Sequence, residues 1–198
     1  GNSAVGEASP RIPLVIRDPR KTGRGILQQV VRSIDLAPTL LDLAGATAAH
    51  GMEGVSLAAC LDSHDRCPMV SAFNETGIWI ADIPGLPDQH LRYPDLLELM
   101  EVPNRETGTL AIKSQYQQVV LDAKDRMIRR ERWKLVYQPL ETGYVLRLFD
   151  LEADPACQND VSLKYPEVRS ELWASMQAFA RTSDQRDHDT AQSGQKRQ

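Results

Sequence analysis

The feature that most constrains the fold is the alternation of apolar and polar residues between positions 126 and 151. The segments "RMIRRERWKLVYQP" and "TGYVLRLFDLE" alternate around turns at Glu131-Arg132 and at Glu141-Thr142-Gly143. Alternation of this kind, interrupted by turn residues, is typical of an antiparallel meander. The sequence therefore predicts a small antiparallel sheet of three or four strands at this place.

A helix is expected to cover one face of that sheet. The segment "YPEVRSELWASMQAFAR" repeats large apolar side chains at helical spacing: Val168, Leu172, Met176 and Phe179. Residues 126–182 are thus predicted to form a C-terminal α+β subdomain. The polar residues 183–198 show no periodicity and are predicted to form a disordered tail.

The first 74 residues have the pattern of an α/β core. The apolar run "IPLVIR" at 12–17 predicts a strand buried on both faces, and "ILQQVVR" at 26–32 predicts a second short strand. The stretch "RSIDLAPTLLDLAGA" predicts a helix that begins near Asp35 and ends at Gly45, and "PMVSAFN" predicts a further strand. These elements are too few to cover both faces of a sheet, so an apolar surface should remain open to a partner or to self-association.

Residues 75–125 separate these two parts. The segment is irregular, with many prolines and glycines, and helices are expected over "PDLLELMEV" and "SQYQQVVLDAKD". It is predicted to be a variable insert.

Composition excludes two classes of function and leaves one question open. Among 198 residues with a formal net charge of −4 there is no basic stripe for nucleic acid and no apolar run long enough to span a membrane. Cys60, His64 and Cys67 are close enough to suggest a metal cluster, with a buried thiol and two loop neighbours as the alternative. The odd number of cysteines argues against a complete disulfide framework.

Four short motifs, in order, resemble the second half of the sulfatase family, within the alkaline phosphatase superfamily of metal-dependent hydrolases. The first three are "GEASPRIPLVIRDP", "SIDLAPTLLDLAGA" and "MEGVSLAACL". The fourth is the C-terminal pair "RMIRRERWKLVYQP" and "LRLFDLEADPACQND". The positions that match the family pattern near the N-terminus are Glu7, Arg11, Pro13, Asp35, Pro38, Thr39, Gly45, Glu53, Gly54, Ser56 and Leu57.

The resemblance implies the fold class. It predicts an α/β protein in which the last strands and helices of an alkaline-phosphatase-like sheet are followed by a small C-terminal antiparallel sheet with one packed helix. It also implies that the chain lacks the family's chemical centre: the nucleophile motif Cys/Ser-x-Pro-x-Arg does not occur, and the Asp, His and Asn metal ligands of the family find no counterpart. A family lysine corresponds to Asn2. No catalytic residue and no metal ligand is therefore assigned to this chain.

The implied function is that of a complete enzyme. It would be a sulfatase-like hydrolase of sulfate esters, with a divalent metal, Ca²⁺ or alternatively Mg²⁺ or Mn²⁺, bound outside this chain. The expected partners are the N-terminal part of the same protein and a small anionic ester. A phosphonate or phosphate ester hydrolase, a phosphoethanolamine-type transferase, and a non-catalytic binding or dimerisation module are the alternatives. A cytoplasmic location is expected over a periplasmic one.

Four residues are candidates for substrate binding. Ligands of open α/β sheets bind beyond the carboxyl ends of strands, which directs attention to Asn74 and Glu75. His90 and Arg92 lie in the variable insert, where loops shape substrate pockets, and an arginine can bind a sulfate through two hydrogen bonds. Arg11 is expected to be the ion-pair partner of Glu7.

Overall fold

The computed structural model describes residues 7, 10–20, 25–47, 49–77 and 86–195, with side chains up to residue 182. Its helices are α1 (Leu36–Leu43), α2 (Leu96–Leu99), α3 (Gln117–Asp122) and α4 (Pro166–Gln195). Its strands are β1 (Ala72–Glu75), β2 (Met100–Asn104), β3 (Thr109–Ile112), β4 (Arg126–Arg130), β5 (Trp133–Pro139) and β6 (Tyr144–Asp150). The chain has the predicted mixed α/β character, with antiparallel sheets.

The chain divides into two compact units. The first, here called the sheet–helix unit, contains residues 1–10, 73–128 and 133–198, and the second, here called the α1 unit, contains residues 11–72 and 129–132. The sequence predicts a boundary at residue 74, two residues after the main segment of the α1 unit ends.

The predicted antiparallel sheet and its helix are confirmed. Four strands are hydrogen-bonded in the order β1-β4-β5-β6. Between β5 and β6 the register runs from Trp133 opposite Asp150 to Pro139 opposite Tyr144. The turn before β5 holds Glu131 at φ 51°, and the turn before β6 holds Gly143 at φ 89°, a left-handed conformation that suits glycine.

A continuous apolar core lies between this sheet and α4. The central side chains are almost completely buried: Ile128, Leu135, Leu148, Leu172 and Met176. Partly buried aromatic rings extend the core, including Phe73, which stacks on Phe179 with ring centroids 4.0 Å apart. The stripe on α4 that was read from the sequence is the face that makes these contacts.

Two strands predicted in the α1 unit are not formed. No strand is assigned within 12–17 or 26–32, and Ile12, Val15 and Ile26 are 73%, 91% and 80% exposed. A strand exists only through hydrogen bonds to a neighbour, and the described part of this unit supplies no neighbour. The helix predicted after them is confirmed as α1, which ends before Gly45 at φ 73°.

Two further predictions need correction. The helix expected over "PDLLELMEV" ends at Leu99, and β2 pairs with β3 as a hairpin whose turn includes Gly108 at φ 63°. Pro103 obscured that strand, because proline lowers strand propensity.

Instead of a disordered tail after residue 182, α4 continues to Gln195, over a stretch that contains no proline. No helix among the described residues is long and apolar enough to cross a membrane.

Candidate functional site

The strand that carries Asn74 and Glu75 belongs to a different sheet from the one predicted. β1 is the edge of the antiparallel sheet next to β4, so the rule for strand ends of parallel α/β sheets does not apply to it. Asn74 and Glu75 are both half-buried at its end. Their assignment to substrate binding stays a prediction without that support.

The Glu75 carboxylate is held by two cations of the same unit. Arg126 Nε donates to Glu75 Oε1 at 2.7 Å, and Lys124 Nζ lies 3.1 Å from Oε2. Burial alone would raise the pKa of Glu75, but the hydrogen bonds and charges of Arg126 and Lys124 outweigh it and hold that pKa below its usual value. Glu75 is therefore an ionised group that ties β1 to β4.

His90 lies inside the molecule rather than on a surface loop. Its side chain is completely buried, and residue 90 forms a β-bridge with Leu140. Nε2 lies 2.6 Å from Asp125 Oδ1, and Nδ1 lies 2.7 Å from the carbonyl oxygen of Leu91. Both ring nitrogens are thus engaged within the chain, which makes His90 an anchor of the segment after residue 86.

Asp125 is the centre of this buried network. Gln138 Nε2 donates to its second carboxylate oxygen at 3.1 Å, and its backbone N–H donates to Thr76 Oγ1 at 2.9 Å. The network connects the end of β1, the start of β4, β5 and the insert. Nothing in the sequence pattern pointed to Asp125, because its partners lie 13 to 49 positions away along the chain. Arg92, two positions beyond His90, is exposed.

The family-matched Glu7 has a different ion-pair partner from the one predicted. Lys134 Nζ on β5 lies 2.8 Å from Glu7 Oε1, and the lysine side chain is completely buried. Arg11, the expected partner, is exposed in the α1 unit. Asn2, which takes the place of a family lysine, lies outside the described residues.

The matched residues Asp35 and Thr39 are structural. Asp35 is fully buried and accepts hydrogen bonds from the backbone and side chain of Arg32 and from the backbone N–H of Val55. The Asp35 side chain makes no capping hydrogen bond to α1. Burial would raise the pKa of Asp35, but these hydrogen bonds outweigh it and lower the pKa. Thr39 Oγ1 accepts from the backbone N–H of Leu57 at 2.9 Å.

The family-matched segment "MEGVSL" packs tightly against the residues just before α1. A Cβ placed on Gly54 would lie 1.9 Å from the carbonyl oxygen of Ile34, so only glycine allows this approach. Ser56 Oγ donates to Asp42 on α1. The two motifs are therefore one structural device, a loop fastened to a helix.

The cysteines do not form a metal cluster. Cys60 and Cys67 are joined by a disulfide, which the sequence analysis did not predict, and Cys157 is buried in the core of the sheet–helix unit. Over the described ranges, no three His, Cys, Asp or Glu side chains are grouped so that they could hold a metal ion. The described residues therefore supply no set of ligands for a catalytic metal, and no chemical step through a metal is assigned to them.

Comparison with known proteins agrees with the motifs. Residues 3–71 match the family model described as N-sulphoglucosamine sulphohydrolase, C-terminal. Arylsulfatase K of Canis lupus familiaris is 27% identical over 168 residues, which cover 84% of this chain and 25% of that protein. An extracellular sulfatase SULF-1 homologue of Drosophila melanogaster is 35% identical over 66 residues, 33% of this chain and 6% of that protein.

One similar solved structure is that of a protein in complex with its substrate D-glucosamine-2-N,6-O-disulfate. Its sequence is 18% identical to this chain and the TM-score is 0.45. The match covers 77% of this chain and 24% of that protein's chain. This chain is similar to the C-terminal portion of sulfatase-family proteins. It spans about 25% of the length of the arylsulfatase K sequences that it matches.

Proposed function

We propose that the complete protein is a sulfatase that hydrolyses sulfate esters, and that this chain supplies its C-terminal structural part. The observation that carries the proposal is the match of residues 3–71 to a sulfatase C-terminal family model, extended by arylsulfatase K over 84% of the chain. The nucleophile and the ligands of a divalent cation, Ca²⁺ or alternatively Mg²⁺ or Mn²⁺, belong to the part of the protein outside this chain.

The N-terminal part of the same protein is proposed to cover the open apolar surface of the α1 unit. Large apolar side chains with high exposure are concentrated in this unit: Ile12, Val15, Ile26, Leu40 and Met69. Patches of this kind on a soluble protein mark an interface. The part of the relatives outside the match is about three times as long as the matched part, which is ample to supply neighbouring strands for 12–17 and 26–32.

The Cys60–Cys67 disulfide indicates the kind of cellular compartment in which the protein folds. Disulfides persist in oxidising compartments and are rare in the cytosol. The pairing of Cys60 with Cys67 therefore favours an oxidising compartment over the cytoplasmic location expected from the sequence. Mass spectrometry of the protein isolated from its native source under thiol-blocking conditions tests this: both cysteines should resist alkylation until a reductant is added.

The activity is tested by kinetics on three esters of the same phenol, namely the sulfate, the phosphate and a phosphonate. The complete protein with added Ca²⁺, Mg²⁺ or Mn²⁺ should prefer the sulfate ester, and the isolated chain should give no turnover above background. Preference for phosphate or phosphonate would replace the proposed reaction with that of the alternative hydrolases. Turnover by the isolated chain would refute the proposal that the chemical centre lies outside it.

A further inference from the structure

A buried histidine and a buried carboxylate meet inside the sheet–helix unit. The side chains of His90 and Asp125 are both completely buried, and His90 Nε2 lies 2.6 Å from Asp125 Oδ1. The other ring nitrogen, Nδ1, lies 2.7 Å from the carbonyl oxygen of Leu91. Each nitrogen of the imidazole therefore faces an oxygen atom at hydrogen-bonding distance.

These two contacts fix the number of protons that the pair must hold. A carbonyl oxygen can only accept a hydrogen bond, so the contact with Leu91 requires a proton on Nδ1. The contact between Nε2 and the carboxylate requires a second proton, on the nitrogen or on the oxygen. A neutral imidazole beside an ionised carboxylate would leave one of the two contacts with lone pairs facing each other. With both hydrogen bonds made, the pair holds one proton more than a neutral His90 and an ionised Asp125.

The groups around the pair do not supply or remove that proton near neutral pH. Gln138 Nε2 donates to the second carboxylate oxygen of Asp125 at 3.1 Å. Burial is the largest influence on the pKa of Tyr137 and raises it. Burial also acts to raise the pKa of Glu75, but its ion pairs outweigh this and lower it. Both groups therefore keep a constant charge around pH 7. The other charged side chains on the surrounding elements are those of Arg92, Asp122, Lys124 and Arg126.

The same pair attaches the insert to the sheet. On either side of His90 the attachment consists of main-chain hydrogen bonds: the Leu91 N–H donates to the Pro139 carbonyl oxygen at 3.0 Å, and the Glu141 N–H donates to that of Gln89 at 2.9 Å. If this segment opens, the imidazole enters water and behaves as an ordinary histidine, which releases its proton near pH 6.5. Opening and proton release are therefore linked.

We propose that the His90–Asp125 pair is a proton-dependent clasp that holds the insert on the sheet at acidic to neutral pH and loosens it at alkaline pH. Between about pH 4 and 6.5 the open segment carries as many protons as the closed pair, so closure does not depend on pH. Above about pH 6.5 the open segment loses a proton that the closed pair keeps, so closure weakens as the pH rises. The clasp does not depend on the proposed sulfatase reaction.

Hydrogen–deuterium exchange on the complete protein between about pH 7 and 9 tests the clasp. Protection of the Leu91 and Glu141 amides is measured against unstructured peptides of the same sequence, which removes the intrinsic effect of pH on exchange. In the wild type this protection should fall by up to about tenfold per pH unit, the slope that the release of one proton produces.

A matched substitution removes the extra proton and keeps the hydrogen bonds. In Asp125→Asn the amide group can donate to Nε2 of a neutral His90, while its oxygen accepts from Gln138. Protection in this variant should therefore stay within about threefold over the same pH range. His50→Gln changes an exposed histidine outside the unit and should keep the wild-type profile.

Constant protection of the Leu91 and Glu141 amides in the wild type would overturn the proposal. An equally steep decline in Asp125→Asn would also overturn it, because another group would then release the proton. If that variant does not fold, proton NMR of the wild type labelled with ¹⁵N-histidine decides at about pH 8. A downfield proton between His90 and Asp125 supports the clasp, and a ring with an unprotonated Nε2 and no such proton contradicts it.

Discussion

The sheet–helix unit and the α1 unit bury their apolar side chains to very different extents. In the former, Ile128, Leu135 and Leu148 are completely buried. In the latter, the apolar runs remain largely exposed, and the buried side chains include the polar anchors Asp35 and Thr39 as well as Leu57 and Cys60. The difference teaches that a meander with a covering helix closes on itself, whereas strands apolar on both faces need neighbours from elsewhere.

The largest expected effect tests this contrast through its apolar side chains. Leu148→Ala should lower the free energy of unfolding by about 4 kcal/mol, because it leaves a cavity in a fully packed core. Leu40→Ala, at a position 66% exposed on α1, should cost less than about 0.5 kcal/mol in the isolated chain. Urea unfolding of the isolated chain checks both; similar losses would erase the distinction between the units.

The buried polar network should give the next largest effect. His90→Ala leaves the Asp125 carboxylate buried without its closest partner, so the free energy of unfolding should fall by about 3 kcal/mol. Arg92→Gln, two positions away and exposed, serves as the matched control and should stay within about 0.5 kcal/mol of wild type. Equal stability of the two variants would show that His90 does not anchor this segment.

Gly54→Ala should disturb the α1 unit locally. Because the added methyl group would overlap the Ile34 carbonyl oxygen, the loop must move, at a cost of about 2 kcal/mol. Gly77→Ala, where a Cβ would meet nothing within 4 Å, is the control. Hydrogen exchange should show faster exchange at the Val55 and Leu57 amides in the first variant alone. Unchanged exchange there would mean that the loop is not fastened to α1.

The smallest expected effect is the loss of stability at acid pH through Glu75. The pKa of Glu75 is lowered in the folded state, so its contribution to stability is present above the unfolded value of about 4 and is lost as pH falls through the folded value. The free energy of unfolding should therefore decline with pH below about 4 in the wild type and less steeply in Glu75→Gln. Denaturant unfolding between about pH 2 and 6 measures both slopes; equal slopes would contradict the ion pairs with Arg126 and Lys124.

The parts that sequence predicted well are those whose partners are near in the chain. The β5–β6 pairing follows from alternation and a short turn, and α4 follows from its apolar stripe. The parts that it missed depend on distant partners: Glu7 pairs with Lys134 across 127 positions, and His90 reaches Asp125 across 35. Local pattern contains no information on which buried charges will meet, so these contacts could not be predicted from the sequence.

The central claim is that residues 12–17 and 26–32 acquire strand neighbours from the N-terminal part of the complete protein, while the sheet–helix unit needs none. Hydrogen–deuterium exchange on the isolated chain and on the complete protein tests it most directly. The account predicts that amides of 12–17 and 26–32 exchange rapidly in the isolated chain and are protected in the complete protein, with 133–150 protected in both. Equal protection of 12–17 in the two proteins, or rapid exchange of 133–150 in the isolated chain, would contradict it.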